Sequence, residues 1–145
     1  MKSNVQEIQS TRLDYPTLES AFPKANPGLK PFGNKVLVQL RTPKTRSQGG
    51  IILPTETTET EIWNTQVAKV HSLGPVAFRN RDTLEPWPEG NWCEAGAYVR
   101  VPKYGGDRWW VPTEDNPKEV ALFILIKDLD IAGEVADPLS VVSFV

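Results

Sequence analysis

The chain holds one cysteine, one histidine and one methionine in 145 residues. Cys93 alone cannot close an internal disulfide, which points to a reducing compartment. One histidine and one cysteine fall short of the four protein ligands of a structural zinc site. No third group is placed in the sequence to orient a Cys93–His71 nucleophile pair, so nothing here reads as catalysis. Neither sign of charge dominates: 16 Lys and Arg against 18 Asp and Glu give a net charge of -2. A nucleic-acid-binding surface is normally basic, so that class is disfavoured. No apolar run approaches the length that spans a bilayer, and the opening MKSNVQEIQST lacks the apolar core of a secretion signal. The expectations are therefore no enzyme activity, no metal, no cofactor, no nucleic acid and no membrane.

What is plentiful is turn-forming residues. Thirteen prolines and ten glycines, spread along the chain, favour many short strands over long helices. KVLVQL (35–40) alternates, with Val36, Val38 and Leu40 on one face, the mark of a half-buried strand. TQVAKVHSL (65–73) is a second strand, closed by Gly74-Pro75. Residues 76–96 are turn-rich and carry Trp87 and Trp92. AYVRVP (97–102) alternates again, Val99 and Val101 inward and Arg100 outward. KYGGD (103–107) reads as a tight turn, because paired glycines supply positive φ without a Cβ clash. RWWV (108–111) is expected to return as the hairpin partner of 97–102, with Trp109 and Trp110 on opposite faces. VALFILI (120–126) is apolar throughout, which requires burial on both faces. KDLDIAG then closes the domain, with Leu129 and Ile131 alternating against Asp128 and Asp130.

The domain expected from this pattern runs over residues 31–135. Residues 1–30 hold scattered apolar residues (Leu13, Tyr15, Leu18, Phe22) among prolines, the spacing of an arm lying on its own surface or a neighbour's. Residues 136–145 end in PLSVVSFV, an apolar tail expected to pair within an oligomer.

One stretch stands apart. RTPKTRSQGGIILPTETTETEI (41–62) sets Ile51, Ile52 and Leu53 in a polar segment of Gly, Pro, Ser, Thr and Glu. Such a segment cannot bury enough apolar surface to offset its ordering entropy, so the sequence predicts a mobile loop. A mobile loop with a short apolar plug is suited to docking in another protein's groove. The competing reading makes Ile51–Leu53 a short strand folded onto the barrel. Gly49 and Gly50 do not cradle a phosphate, since no Gly-Lys-Ser/Thr follows.

Four stretches, taken in order, resemble the GroES-type co-chaperonin family: PFGNKVLVQL, the loop with GGIIL, AKVHSLGP, and AGAYVRVPKYGGDRWWV followed by VALFILIKDLDIAGEV. Tyr104-Gly105-Gly106 and Asp128-Leu129-Asp130-Ile131-Ala132 stand where that family has its "KY-x-G" turn and its "D-I-L-A" ending. The resemblance implies an all-β fold: a small GroES-like β-barrel with a long mobile loop and a roof-like hairpin, here 76–96. It implies a chaperonin-binding site at Gly49, Gly50, Ile51, Ile52 and Leu53, a GroEL-type chaperonin ring as partner, and a homo-oligomer, by family habit a heptamer. It implies a protein-folding role in the cytoplasm, with ATP hydrolysis left to the chaperonin. The arm, the tail and the divergent 76–96 region look like virus-encoded members, of bacteriophage type, which would work in a host cytoplasm. The alternative is a virion structural or assembly protein built on the same barrel.

Overall fold

The computed structural model describes residues 17–42, 65–103 and 105–139. Among the described residues the first element is a one-turn helix, α1 (Leu18–Ala21), capped by Thr17, whose Oγ1 accepts from the Ser20 amide. Six strands follow among the described residues: β1 (Lys35–Leu40), β2 (Val67–Leu73), β3 (Tyr98–Arg100), β4 (Asp107–Pro112), β5 (Val120–Lys127) and β6 (Gly133–Glu134). They form one antiparallel sheet in the order β4-β5-β1-β2-β3-β6. The fold is all-β, as the sequence predicts.

β1 is the spine, paired with β5 on one side and β2 on the other. Its Val36, Val38 and Leu40 point into the main core with Ala68, Val70, Val99, Leu122, Ile124 and Ile126. These positions recur at period two, so the inner face follows directly from the alternation. The opposite face is also closed. Leu37, Ala121 and Phe123 are buried there beneath Ala25 and Trp109. β1 is thus not half-buried as its alternation suggests. The segment 17–27 crosses its outer face as a strap, and Gln39, 7% exposed, donates from Nε2 to the Pro23 carbonyl at 2.7 Å. The strap also explains the apolar run of β5, whose outer side needs a cover.

The pairing of β4 departs from expectation. β4 does not return along β3; it pairs with β5 over Asp107↔Leu125 to Pro112↔Val120. β3 is only three residues long and is taken by β2 and β6. The turn at 113–119 closes the β4–β5 hairpin: Thr113 Oγ1 donates to the Asn116 carbonyl, and the Thr113 amide to that of Glu119. Gly106 opens β4 at φ 72°, where a β-carbon would stand 2.5 Å from the Leu125 carbonyl oxygen. That contact fixes how closely β4 approaches β5.

The closing segment also differs from its expected alternation. Asp128–Asp130 is a 3-10 turn in which Asp128 is buried and Leu129 is 58% exposed. The Asp128 carboxylate accepts from the Phe78 amide at 2.7 Å and the Leu129 amide at 2.8 Å, and from Asn34 Nδ2 at 3.4 Å. A buried carboxylate is tolerable when donors surround it, and that need overrides the period-two pattern.

Candidate functional site

Gly49, Gly50, Ile51, Ile52 and Leu53 lie outside the described residues. What the structure does describe is the base from which 43–64 departs and to which it returns. β1 and β2 are antiparallel neighbours with Leu40 opposite Ala68, so departure and return stand side by side. The Arg41 amide donates to the Val67 carbonyl at 2.9 Å and continues the ladder one step beyond the strands. Thr42 and Thr65 are buried, at 0% and 4% exposure. Gln66 carries the same pattern across to β3, its carbonyl accepting from the Val101 amide at 2.8 Å.

Two further segments converge on this base. The Thr42 amide donates to the Ala21 carbonyl at 3.0 Å, and Thr42 Oγ1 donates to the Ser20 carbonyl at 3.2 Å. Those carbonyls belong to the last turn of α1, where helical partners run out. Ala21 and Phe22 pack with Val67, Val135, Tyr98 and Leu139, and the Phe22 and Tyr98 rings lie 5.3 Å apart. From the other terminus, the Pro138 carbonyl accepts from Arg41 Nη1 at 3.0 Å, and Arg41 is 2% exposed. The strap and the segment 135–139 therefore form a collar around both ends of the 43–64 stretch. Sequence reasoning placed Leu18 and Phe22 on an arm without assigning what they touch. The available signal was Thr17 three residues before Ser20, the pattern of a helix start ahead of a buried Ala21-Phe22 pair.

The remaining candidates resolve into structural roles. Cys93 packs in the main core, and burial first, then Glu94 and Glu134, pushes its thiol up to about 11. A nucleophilic cysteine needs the opposite shift. His71 is the extra residue of a bulge in β2, between the Leu37↔Ser72 and Val38↔Val70 pairs. Its ring meets Phe123 edge-on at 6.1 Å, and desolvation, followed by Lys69, lowers its pKa. Among the described residues no group of three or more His, Cys, Asp or Glu is placed to hold a metal. No helix among them is long and apolar enough to cross a membrane.

Residues 79–86 form a narrow hairpin within the 76–96 region. Arg79 bridges Pro86, the Asn80 amide donates to the Glu85 carbonyl, and Asn80 Oδ1 accepts from the Asp82 and Thr83 amides. Trp87 packs against the main core, and Trp92 lies 5.6 Å from Phe78 with Nε1 donating to Glu89. Both rings are used within the subunit. Trp109 and Trp110 do face opposite ways: Trp109 stacks on Phe123 and donates to the Pro27 carbonyl, and Trp110 is 46% exposed.

Comparison with known families places this geometry. The family model described as Chaperonin 10 Kd subunit matches residues 28–134, a span that includes β1 to β6 and both ends of the 43–64 stretch. No curated protein matches the chain. The strap residues 17–27 and the segment 135–139 fall outside the family match.

Proposed function

We propose, on the premise that the chain belongs to the chaperonin 10 Kd subunit family, that it is the lid of a chaperonin ring. Membership in that family gives it co-chaperonin function, a GroEL-type chaperonin as partner and self-association in general terms. The finer reading is a heptamer, each copy presenting to the ring the mobile loop expected at 41–62, its start moved past Arg41 and Thr42, which are buried in the base. In this reading Gly49 and Gly50 turn the loop, and Ile51, Ile52 and Leu53 enter an apolar groove on the chaperonin. The hairpin at 79–86 serves as the roof-like element. The protein works in the cytoplasm, a host's cytoplasm if the chain is virus-encoded.

The observation that carries this reading is the fixed base of the 43–64 stretch, hydrogen-bonded on both sides within a family-matched sheet. A docking segment hung from a rigid frame delivers its apolar residues at a defined position. Burying a large aliphatic side chain contributes about 1.5–3 kcal/mol. Ordering a loop backbone costs about 1–2 kcal/mol per residue. One loop alone therefore binds weakly, and a ring of loops binds through effective concentration. Weak single contacts also allow release, which a lid that opens and closes requires.

The test is capture of the purified protein by a purified GroEL-type ring in the presence of ATP. Wild type is expected to be captured. Ile52→Asp places a charge in an apolar groove and should abolish capture with the circular dichroism spectrum unchanged. Capture of Ile52→Asp at the wild-type level would discard the docking role. A protein that ignores the chaperonin and instead copurifies stoichiometrically with virus particles would favour the assembly alternative.

A further inference from the structure

We infer that the strap and the 135–139 segment form a positioning collar that sets the docking strength of the loop, with Thr42 as its positioning residue. The inference rests on the lid reading above and adds a part to it that lies outside the family match. α1 is a single turn, too short to hold itself together in water. Its Ser20 and Ala21 carbonyls lack helical partners, and Thr42 supplies a donor to each. Thr42, the last described residue before the loop, is thus bonded to a helix that depends in part on Thr42 for its own order. The apolar side of the same contact, Ala21 and Phe22 against Val67, Val135 and Leu139, covers the returning end. Arg41 ties in the other terminus through the Pro138 carbonyl.

The collar is closed in the structure, and it opens when the Thr42 bonds and the Phe22 contacts are lost together. In the closed state Thr42 is held in one orientation, so less freedom remains to be lost on docking. Any load placed on the loop by a partner passes first into the Thr42 bonds. Docking and collar closure should therefore favour each other, as linked equilibria must.

Thr42→Val keeps the shape and the backbone donor and removes the hydroxyl, and with it the bond to the Ser20 carbonyl. Thr42→Ser keeps the hydroxyl. With the full-length protein and a purified GroEL-type ring plus ATP, Thr42→Val should bind about five-fold or more weakly, the loss of one net hydrogen bond per copy. Thr42→Ser should stay near wild type, and both should form the wild-type oligomer. In wild type, hydrogen exchange at the Ser20, Ala21 and Phe22 amides should slow on capture. Equal binding by Thr42→Val and wild type, or unchanged exchange in the strap on capture, overturns the collar while leaving the lid reading intact. Loss of the oligomer in Thr42→Val would assign the residue to assembly and also overturn it. Wild type that fails to bind the chaperonin removes the lid reading, and this inference with it.

Discussion

The two ends of β1 are fixed by opposite means. At its start, beside Lys35, the frame closes on one buried carboxylate: Asp128 gathers the Phe78 and Leu129 amides and Asn34, and its own amide donates to the Asn34 carbonyl. At its finish, some 20 Å away by the rise of a strand, the closure uses the Thr42 hydroxyl and amide, apolar contacts and the Arg41 guanidinium on the Pro138 carbonyl, all reaching segments far away in the chain. The first end gathers three donors on the Asp128 carboxylate, beside main-chain bonds from Gly74 to Lys35 and from Val76 to Gly33. The second divides them among Thr42, Phe22, Arg41 and Gln39, several of which can be lost singly. A frame held by one carboxylate at one end and by separable contacts at the other suits the proposed lid, which grips and releases a partner.

The largest effect should come from breaking the carboxylate end. Asp128→Ala removes the acceptor of the buried Phe78 amide, and Phe78 itself sits at φ 60°, a left-handed conformation rare for a bulky residue. Hydrogen bonds to charged groups are worth about 1.5–3 kcal/mol, and an orphaned buried donor adds its own desolvation cost. A loss of about 3 kcal/mol is expected, lowering the midpoint of thermal unfolding by roughly 10 °C. Hydrogen exchange should show the change over the whole sheet, since no local opening relieves it. A shift under about 2 °C would mean that water substitutes for the carboxylate and that the two ends are held alike.

This contrast was only half legible in the sequence. The inner face of β1, β2 and β5 follows from alternating Val, Leu and Ile, because a buried face leaves its mark at every second residue. Val99, Val101 and the opposed Trp109 and Trp110 are read off in the same way. The partner of β4 was not legible from KYGGD, because a glycine pair signals a turn without saying which strands it joins. The better signal was TEDNPKE (113–119), whose Asn116-Pro117 lies between two apolar runs as a turn. Asp128 was assigned to the outside because alternation carries no information about a carboxylate that collects backbone donors. The sequence does predict an arm on its own surface or a neighbour's, but which strands it crosses is not legible, for a similar reason. The strap's polar holds on the sheet include the carbonyls of Pro23 and Pro27, and a main-chain acceptor leaves no trace in residue identity. Residues 49–53, proposed to bind the chaperonin, lie outside the described residues.

The smallest effect should come from loosening the far end of the strap. Trp109→Phe keeps an aromatic ring against Phe123 and removes the indole donor to the Pro27 carbonyl. One neutral hydrogen bond is worth about 1 kcal/mol, and the strap keeps its bonds from Gln39 to Pro23 and from the Glu114 amide to the Lys24 carbonyl. Thermal unfolding should therefore move by only a few degrees. Exchange at the strap amides, measured on the free protein, should rise by about five-fold without a matching rise in β5. The combination with Thr42→Val decides whether the strap moves as one piece. If it peels as a unit, the paired changes will be non-additive, because the second bond is already open when the first is lost. Additive effects would instead show that the Pro27 and Thr42 ends open separately, and the collar would then reach no further along the strap than Phe22.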